Sequence, residues 1–349
     1  MTASLRPFSL ALSTPLATAT GTLERREGFI LEYHAEGFTG VGEAAPLPGW
    51  TESFRETEVA LRQATAALER ADEAAARTAV AGRPAAAHAL DGATLDRRAK
   101  RADRPLYRYL GTGESVRSVP VNATLGDADL GTVSRQATAA TGQGFETLKL
   151  KVGAREPDAD VERVRAVREA IGDRPAIRLD ANGAWDLATA EGLWPRFEDL
   201  GVELVEQPLP ATELGDHQSL RGTSGPRVAL DEGVMEHGLG RVLRAGVADA
   251  VVIKPMVLGG VEQAAASVGQ ASDAGVDPIV TTTIDAVIAR TTAVHVAATI
   301  DCPIACGLAT ADRLADDVAP DPAPVRDGRI AVPQDPGHGV TLAETGENE

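Results

Sequence analysis

The chain has 349 residues, 43% of them hydrophobic, and a formal net charge of -17. That length can bury one large core with room for a second, smaller domain. The negative charge excludes the basic surfaces that nucleic acid and anionic membranes require, and no apolar run reaches the roughly 18 residues of a membrane helix.

The opening stretch MTASLRPFSLALSTPLATAT lacks a Lys/Arg-led apolar run. It reads as a strand and not as a signal peptide, so the expected location is the cytoplasm. Residues 5–14, 28–34 and 38–42 predict three strands, the last two joined by a turn at Glu36 and Gly37. Residues 52–100 are rich in Ala, Arg and Glu with helical periodicity, broken at Gly82, Arg83 and Pro84. Strands followed by helices predict an α+β capping domain over residues 1–110.

From residue 119 the pattern alternates. Short β-branched runs at 119–123, 147–152, 176–179, 204–205, 228–230, 250–253, 278–280 and 304–306 are separated by amphipathic stretches such as 158–171, 187–200 and 261–274. Eight such runs at intervals of roughly 25 residues predict a (β/α)8 TIM barrel, an α/β catalytic domain over residues 111–319. A doubly wound sheet is disfavoured, because no GxGxxG follows a strand. The loop-rich tail, about 320–349, is expected to fold back on the capping domain and complete it.

Two cysteines, Cys302 and Cys306, make no disulfide framework, and their spacing is not a usual zinc or redox pattern. Lysine is also scarce: Lys100, Lys149, Lys151 and Lys254 are the only four. Arginine replaces lysine elsewhere, yet arginine cannot act as a neutral base near pH 7.

Polar residues end successive runs: Lys149 and Lys151, then Asp180, Glu206, Asp231 and Lys254, at steps of 29, 26, 25 and 23 residues from Lys151 onward. One βα unit separates each from the next, so all should meet at the C-terminal mouth of the barrel. A carboxylate ending a strand is often only a helix cap. Three that converge repel one another unless a hard cation neutralises them, which predicts Mg²⁺ on Asp180, Glu206 and Asp231. Glu232 is expected near the site. Lys149 and Lys151 share a face at the strand period of two, as do Arg178 and Asp180. Near each other and a divalent cation, both lysines should have the ammonium form disfavoured, dropping from about 10.4 toward roughly 7–8. Arg178 is expected at the mouth, on an anionic substrate group. Lysines on both sides of a metal suit removal of a proton α to a carboxylate, the pattern known for enolase-superfamily sites.

The set KLKVG, LDANGAW, VEQPL, LDEG and VIKP resembles the muconate-lactonizing branch of the enolase superfamily over nearly the whole chain. Within it, GVGEAAPLPGWTESF, RREGFILEY, VVIKPMVLGGVEQ and PIVTTTIDAVIA resemble the o-succinylbenzoate synthase family of menaquinone biosynthesis. The resemblance implies Mg²⁺, or Mn²⁺ in its place, and a small carboxylate as substrate. It implies Lys151 as the base, Lys254 as the stabiliser of an enediolate, and Lys149 with Arg178 as tuning and carboxylate contacts. The succinyl group would rest on Gly259, Gly260, Thr281, Thr282 and Thr283, under loops at residues 21–26 and 47–50. In TTTIDAVIAR, Thr stands for the family's Ser, Asp285 for Glu and Arg290 for Gly. The alternatives are an N-acylamino-acid racemase or dipeptide epimerase, a muconate-type cycloisomerase, and a non-catalytic barrel scaffold. The segment CGLAT (residues 306–310) lacks the acidic pair that dipeptide epimerases use on an ammonium group, and a scaffold has no reason to keep three of four lysines at the motif strands. Nothing in the sequence marks a homo-oligomer interface.

Overall fold

Alternating apolar residues at the N-terminus build a long antiparallel hairpin, β1 (Thr2–Thr18) and β2 (Gly21–Ala35), continued by β3 (Phe38–Ala44) through a turn at Glu36 and Gly37, both at positive φ. The chain is described by a computed structural model covering residues 1–18, 21–111, 114–222 and 224–343. Residues 344–349, the end of the expected tail, lie outside that range. The two faces of β2 are buried differently. Phe29, Leu31 and Tyr33 pack on the helices of the cap, whereas Ile30 packs with Val41, Val287, Ile288 and Val340. The expected loop at residues 21–26 is instead the start of β2, paired with β1 from Thr18↔Gly21. Its polar run hid the strand, because the hairpin arm there is largely exposed.

The cap's helices are Phe54–Glu69, Glu73–Ala79 and Pro84–Arg101, with the break at residues 82–84 as expected. Ser53 and Glu56 form a capping box at the first. The third helix lies directly on β3: a Cβ on Gly40 would come within 1.9 Å of the Ala93 carbonyl oxygen, and one on Gly42 equally close to that of Ala89. Only glycine permits that approach.

Seven parallel strands follow in chain order: β5 (Ala123–Leu125), β6 (Thr147–Lys151), β7 (Ala176–Asp180), β8 (Val202–Glu206), β9 (Arg227–Leu230), β10 (Ala250–Ile253) and β11 (Asp277–Val280). Parallel bridges join Val121 to Cys306 and Thr281 to Gly307, so residues 304–307 take the eighth position and close the barrel. The fold is therefore the modified barrel with an N-terminal α+β cap. Leu204, Ala229, Ala250, Ile279 and Ile304 fill its interior.

The run at 119–123 is two strands. β4 (Ser118–Pro120), which precedes β5, pairs with β13 (Arg329–Ala331), which also pairs with β12 (Val325–Arg326). The tail thus divides between the two regions. Its hairpin extends β4, while the segment beyond packs on the cap through His338 and Val340. Among the described residues no helix is long and apolar enough to cross a membrane.

Candidate active site

Five neighbouring strands each deliver one motif to the mouth. In spatial order they present Lys149 and Lys151 (β6), Asp180 (β7), Glu206 (β8), Asp231 (after β9) and Lys254 (after β10). Lys151 and Asp180 are direct register partners, as are Asp180 and Glu206. The result is a row of three carboxylates with a lysine at either end. Asp231 stands at the N-cap position of helix Glu232–His237 but makes no capping hydrogen bond. Gln207 does that work: its buried Oε1 accepts from the amides of Asp231 and Gly233 at 3.1 and 2.9 Å, so the Asp231 carboxylate is free for the mouth.

Lys149 Nζ sits 3.0 Å from Asp180 Oδ2 and 3.1 Å from Glu206 Oε1. Lys151 Nζ donates to the same Asp180 oxygen at 2.7 Å and to Asn182 Oδ1 at 2.8 Å. At the far end Lys254 Nζ is 2.5 Å from Asp231 Oδ2. Side-chain exposure separates the paired lysines: 38% for Lys151 against 16% for Lys149. Lys151 is the more open of the two to the mouth.

The electrostatics correct one expectation. Burial opposes the charge on Lys149, but Asp180 and then Glu206 outweigh it and raise its pKa above the ordinary lysine range. Set between two carboxylates, Lys149 favours its ammonium form, opposite in direction to the expected drop. Burial also pushes the Asp180 carboxyl up, yet Lys149 and Lys151 hold it well below the usual carboxylate range. Glu206 goes the other way, to about 7, because burial and the neighbouring Asp180 exceed the pull of Lys149.

Among the described residues no three acidic, His or Cys side chains are gathered as ligands around one point. The donor set nonetheless fits a hard cation. Three buried oxygen donors lie on adjacent strand ends, and ammonium groups already bridge them in the cation's stead.

Six expected substrate contacts, in three groups, are engaged within the protein. Arg178 faces inward as alternation requires, but one layer below Asp180; its Nε donates to Glu203 at 2.9 Å and its Nη1 to the Ala305 carbonyl at 2.7 Å. A register shift between Ile177 and Arg178 brings Glu203 within reach. Buried to 2% exposure, Arg178 braces the barrel wall and does not reach the mouth. The amides of Gly259 and Gly260 both donate to the Pro255 carbonyl, and the turn abuts Pro84 and Asp91 of the cap, so neither amide is offered to a succinyl group. The Thr281 hydroxyl donates to the Gly307 carbonyl at 2.8 Å and that of Thr283 to Asp285 at 2.5 Å, while Thr282 shares a 3.2 Å bond with Thr310. The Thr281 hydroxyl ties the end of β11 to the eighth position, and that of Thr283 braces its own loop. Arg290, the departure from the expected Gly, is buried against Asp317 and, at the start of the tail, Asp321, at 2.9 and 3.1 Å.

Several contacts of the site escaped the sequence reading, although Arg26 and Trp50 lie in the two loops expected over the substrate. Asn182, at φ 44°, donates its Nδ2 to Glu232 Oε1 at 2.9 Å and so presents its oxygen to Lys151. Buried Arg163 fixes the end of β6 by donating to the Lys151 carbonyl at 2.9 Å. Arg26 spans cap and barrel, donating to the carbonyls of Pro46, Ala45 and Ile284 at 3.0, 2.6 and 3.0 Å. Trp50 lays its ring 3.5 Å from Lys254 Nζ. LDANGAW and PLPGW held the clues to Asn182 and Trp50, but neither contact is local in sequence.

The family described as "Enolase C-terminal domain-like" matches residues 132–346. The chain belongs to the enolase superfamily. Its cap matches "MenC, N-terminal domain" over residues 1–96. A relative in this superfamily, chloromuconate cycloisomerase of Pseudomonas sp. (strain P51), is 30% identical over 303 residues, covering 82% of this chain and 80% of the relative. Among solved structures, a substrate-liganded complex of the L-Ala-D/L-Glu epimerase from Bacillus subtilis superposes with TM-score 0.88 at 27% identity, covering 98% of both chains. The dipeptide epimerase from Enterococcus faecalis V583, complexed with Mg and the dipeptide L-Leu-L-Tyr, gives 0.88 at 26% identity, covering 97% of this chain and 99% of that one.

Proposed function

We propose that this enolase-superfamily chain is an o-succinylbenzoate synthase, a hydro-lyase that dehydrates 2-succinyl-6-hydroxy-2,4-cyclohexadiene-1-carboxylate to o-succinylbenzoate. The observation that carries the reaction class is the row Lys151, Asp180, Glu206, Asp231, Lys254 across five adjacent strands. The match of the cap to the MenC N-terminal domain supports the particular substrate.

In this reading Asp180, Glu206 and Asp231 hold Mg²⁺, as the E. faecalis relative's complex with Mg suggests. The metal supplies Lewis-acid stabilisation of the charge that develops on the substrate carboxylate. Lys151, the more exposed of the β6 pair, takes the proton α to that carboxylate. Lys254 stands at the other end of the row and stabilises the enediolate with its ammonium charge. Lys151 then returns the proton to the departing hydroxyl on the same face, so that water leaves and the ring becomes aromatic. Lys149 remains charged throughout and keeps Asp180 ionised. The loop carrying Trp50 shields the reacting centre from water.

The second reading is a racemase or epimerase, favoured by the presence of a lysine on each side and by the named activity of the B. subtilis relative. An absorbance assay with the cyclohexadiene substrate decides between them. Wild type should turn over, and Lys151→Ala and Lys254→Ala should each lose at least about three orders of magnitude. Full activity in the Lys151 variant would remove it as the base. No turnover in wild type, with racemisation of N-succinyl amino acids instead, would establish the second reading.

A further inference from the structure

Among the described residues, Lys254 is the catalytic lysine that meets the cap as well as the barrel. On the barrel side its ammonium meets Asp231; on the cap side it meets the face of Trp50, 3.5 Å from the ring centroid. A cation at that distance over an indole is attracted by the ring's quadrupole, and tryptophan gives the strongest such contact of the aromatic residues. The Lys254 side chain is only 12% exposed, so water weakens the attraction little.

The loop that delivers Trp50 is built to hold it still. The amides of Trp50 and Thr51 both donate to the Leu47 carbonyl at 2.9 Å, and the Leu47 amide donates to the Thr51 hydroxyl at 2.8 Å. Next to it, Arg26 grips the carbonyls of Ala45 and Pro46 from β2 while holding Ile284 of the barrel. Cap and barrel are therefore locked together at the base of the loop, and the Trp50 backbone is held within reach of Lys254.

We infer that Trp50 is a positioning residue for Lys254: its indole face orients the ammonium toward the reacting centre while Asp231 is turned to a metal. This rests on the reaction proposed above, and it gives the cap a part in charge stabilisation beyond covering the substrate. A wall that merely touches substrate would affect binding. A residue that aims the stabilising cation affects the chemical step.

The test compares Trp50→Phe and Trp50→Leu with wild type, using the cyclohexadiene substrate and intrinsic fluorescence. We expect kcat to fall in the order Trp, Phe, Leu, by a few-fold and then about tenfold or more, with KM changed less than kcat. Lys254→Met should alter the emission of the wild-type chain and leave that of a Trp50→Phe background unchanged, since Trp185 and Trp194 are buried in the large apolar cluster and Trp50 is the ring that faces Lys254. A Trp50→Leu chain that raises KM at undiminished kcat would overturn the inference. So would an emission change on Lys254→Met that persists without Trp50. If wild type does not turn the substrate over, the reaction reading falls, and the fluorescence pair alone upholds or overturns the contact.

Discussion

Lys151 donates to Asn182 at 2.8 Å, and the sense of that contact is set by Glu232, which takes the other end of the same amide at 2.9 Å. A flipped Asn182 would point its NH2 at an ammonium and its oxygen at a carboxylate. The left-handed backbone of Asn182 suits Asn or Gly far better than other residues.

Asn182→Gly keeps that backbone and deletes the amide. It should lower kcat about tenfold, as for loss of one hydrogen bond to a charged group, with little change in melting temperature. Asn182→Ala should show the same kinetic loss and lower stability besides, from strain. Wild-type turnover in the Gly variant would show that Lys151 needs no such partner.

The carboxylate row predicts a metal response independent of any substrate. Saturating Mg²⁺ at about 100 times its Kd should add about 2.7 kcal/mol of stability, read as a raised melting temperature. Asp180→Asn, Glu206→Gln and Asp231→Asn should each abolish that rise. An equal rise in all three variants would place the cation elsewhere.

Four buried histidines make the fold sensitive to mild acid. His88, His217, His295 and His338 are almost wholly buried, and burial lowers the pKa of each, that of His295 to about 3. His295 accepts from the Tyr107 amide, and His338 from that of Val340, which fixes both rings as neutral. Unfolding lets each ring take a proton near pH 6.5, whereas the folded chain refuses it. Their stability is therefore full above pH 6.5 and falls as pH drops, at up to about 1.4 kcal/mol per pH unit per ring. Urea unfolding at pH 7.5 and 5.5 should show the fall, and His295→Gln should reduce it; an unchanged difference in that variant would exonerate the ring.

Glu43 works in the opposite direction. Wholly buried, it accepts from the amides of Ala286 and Ala289 at 2.8 Å, capping helix Val287–Ala297 of the barrel from the cap's β3. Burial, then the nearby Asp285, raises its carboxyl to about 8. A raised folded pKa means a contribution present below about pH 4.5 and lost as pH climbs through 8. Glu43→Gln should therefore gain melting temperature relative to wild type between pH 6 and pH 9. A gap that narrows over that range would refute the sign.

The barrel and its charged strand ends were legible because two periods coincide: alternation within each strand, and one polar terminus per βα unit. Depth within the barrel was not. Alternation turned Arg178 inward correctly, but the shift that brings Glu203 beneath it has no signature in either strand. Strands of two or three residues, such as β12 and β13, are too short to show a period, so the pairing of the tail with β4 was invisible. The cap's contacts with the mouth escaped for another reason: Trp50 and Lys254 meet across the fold, and neither residue's neighbours encode the other. Lys100, the lysine without a motif, proves structural. It donates to Asp96 at 2.7 Å and to the Thr39 carbonyl at 3.0 Å.

Asp96 is also where a late part of the chain arrives. Its carboxylate accepts from the amide of Val41 in β3 and from that of His338, 242 positions further on, while a Cβ on Gly337 would strike it at 2.1 Å. During synthesis, then, the cap's inner junction stands open until the whole barrel has been made. Until that moment Asp96 has no partner from the tail, and the glycine-lined socket beside it is unfilled. Closing so long a loop is slow, so this enzyme's cap should be the part that nascent-chain chaperones meet longest.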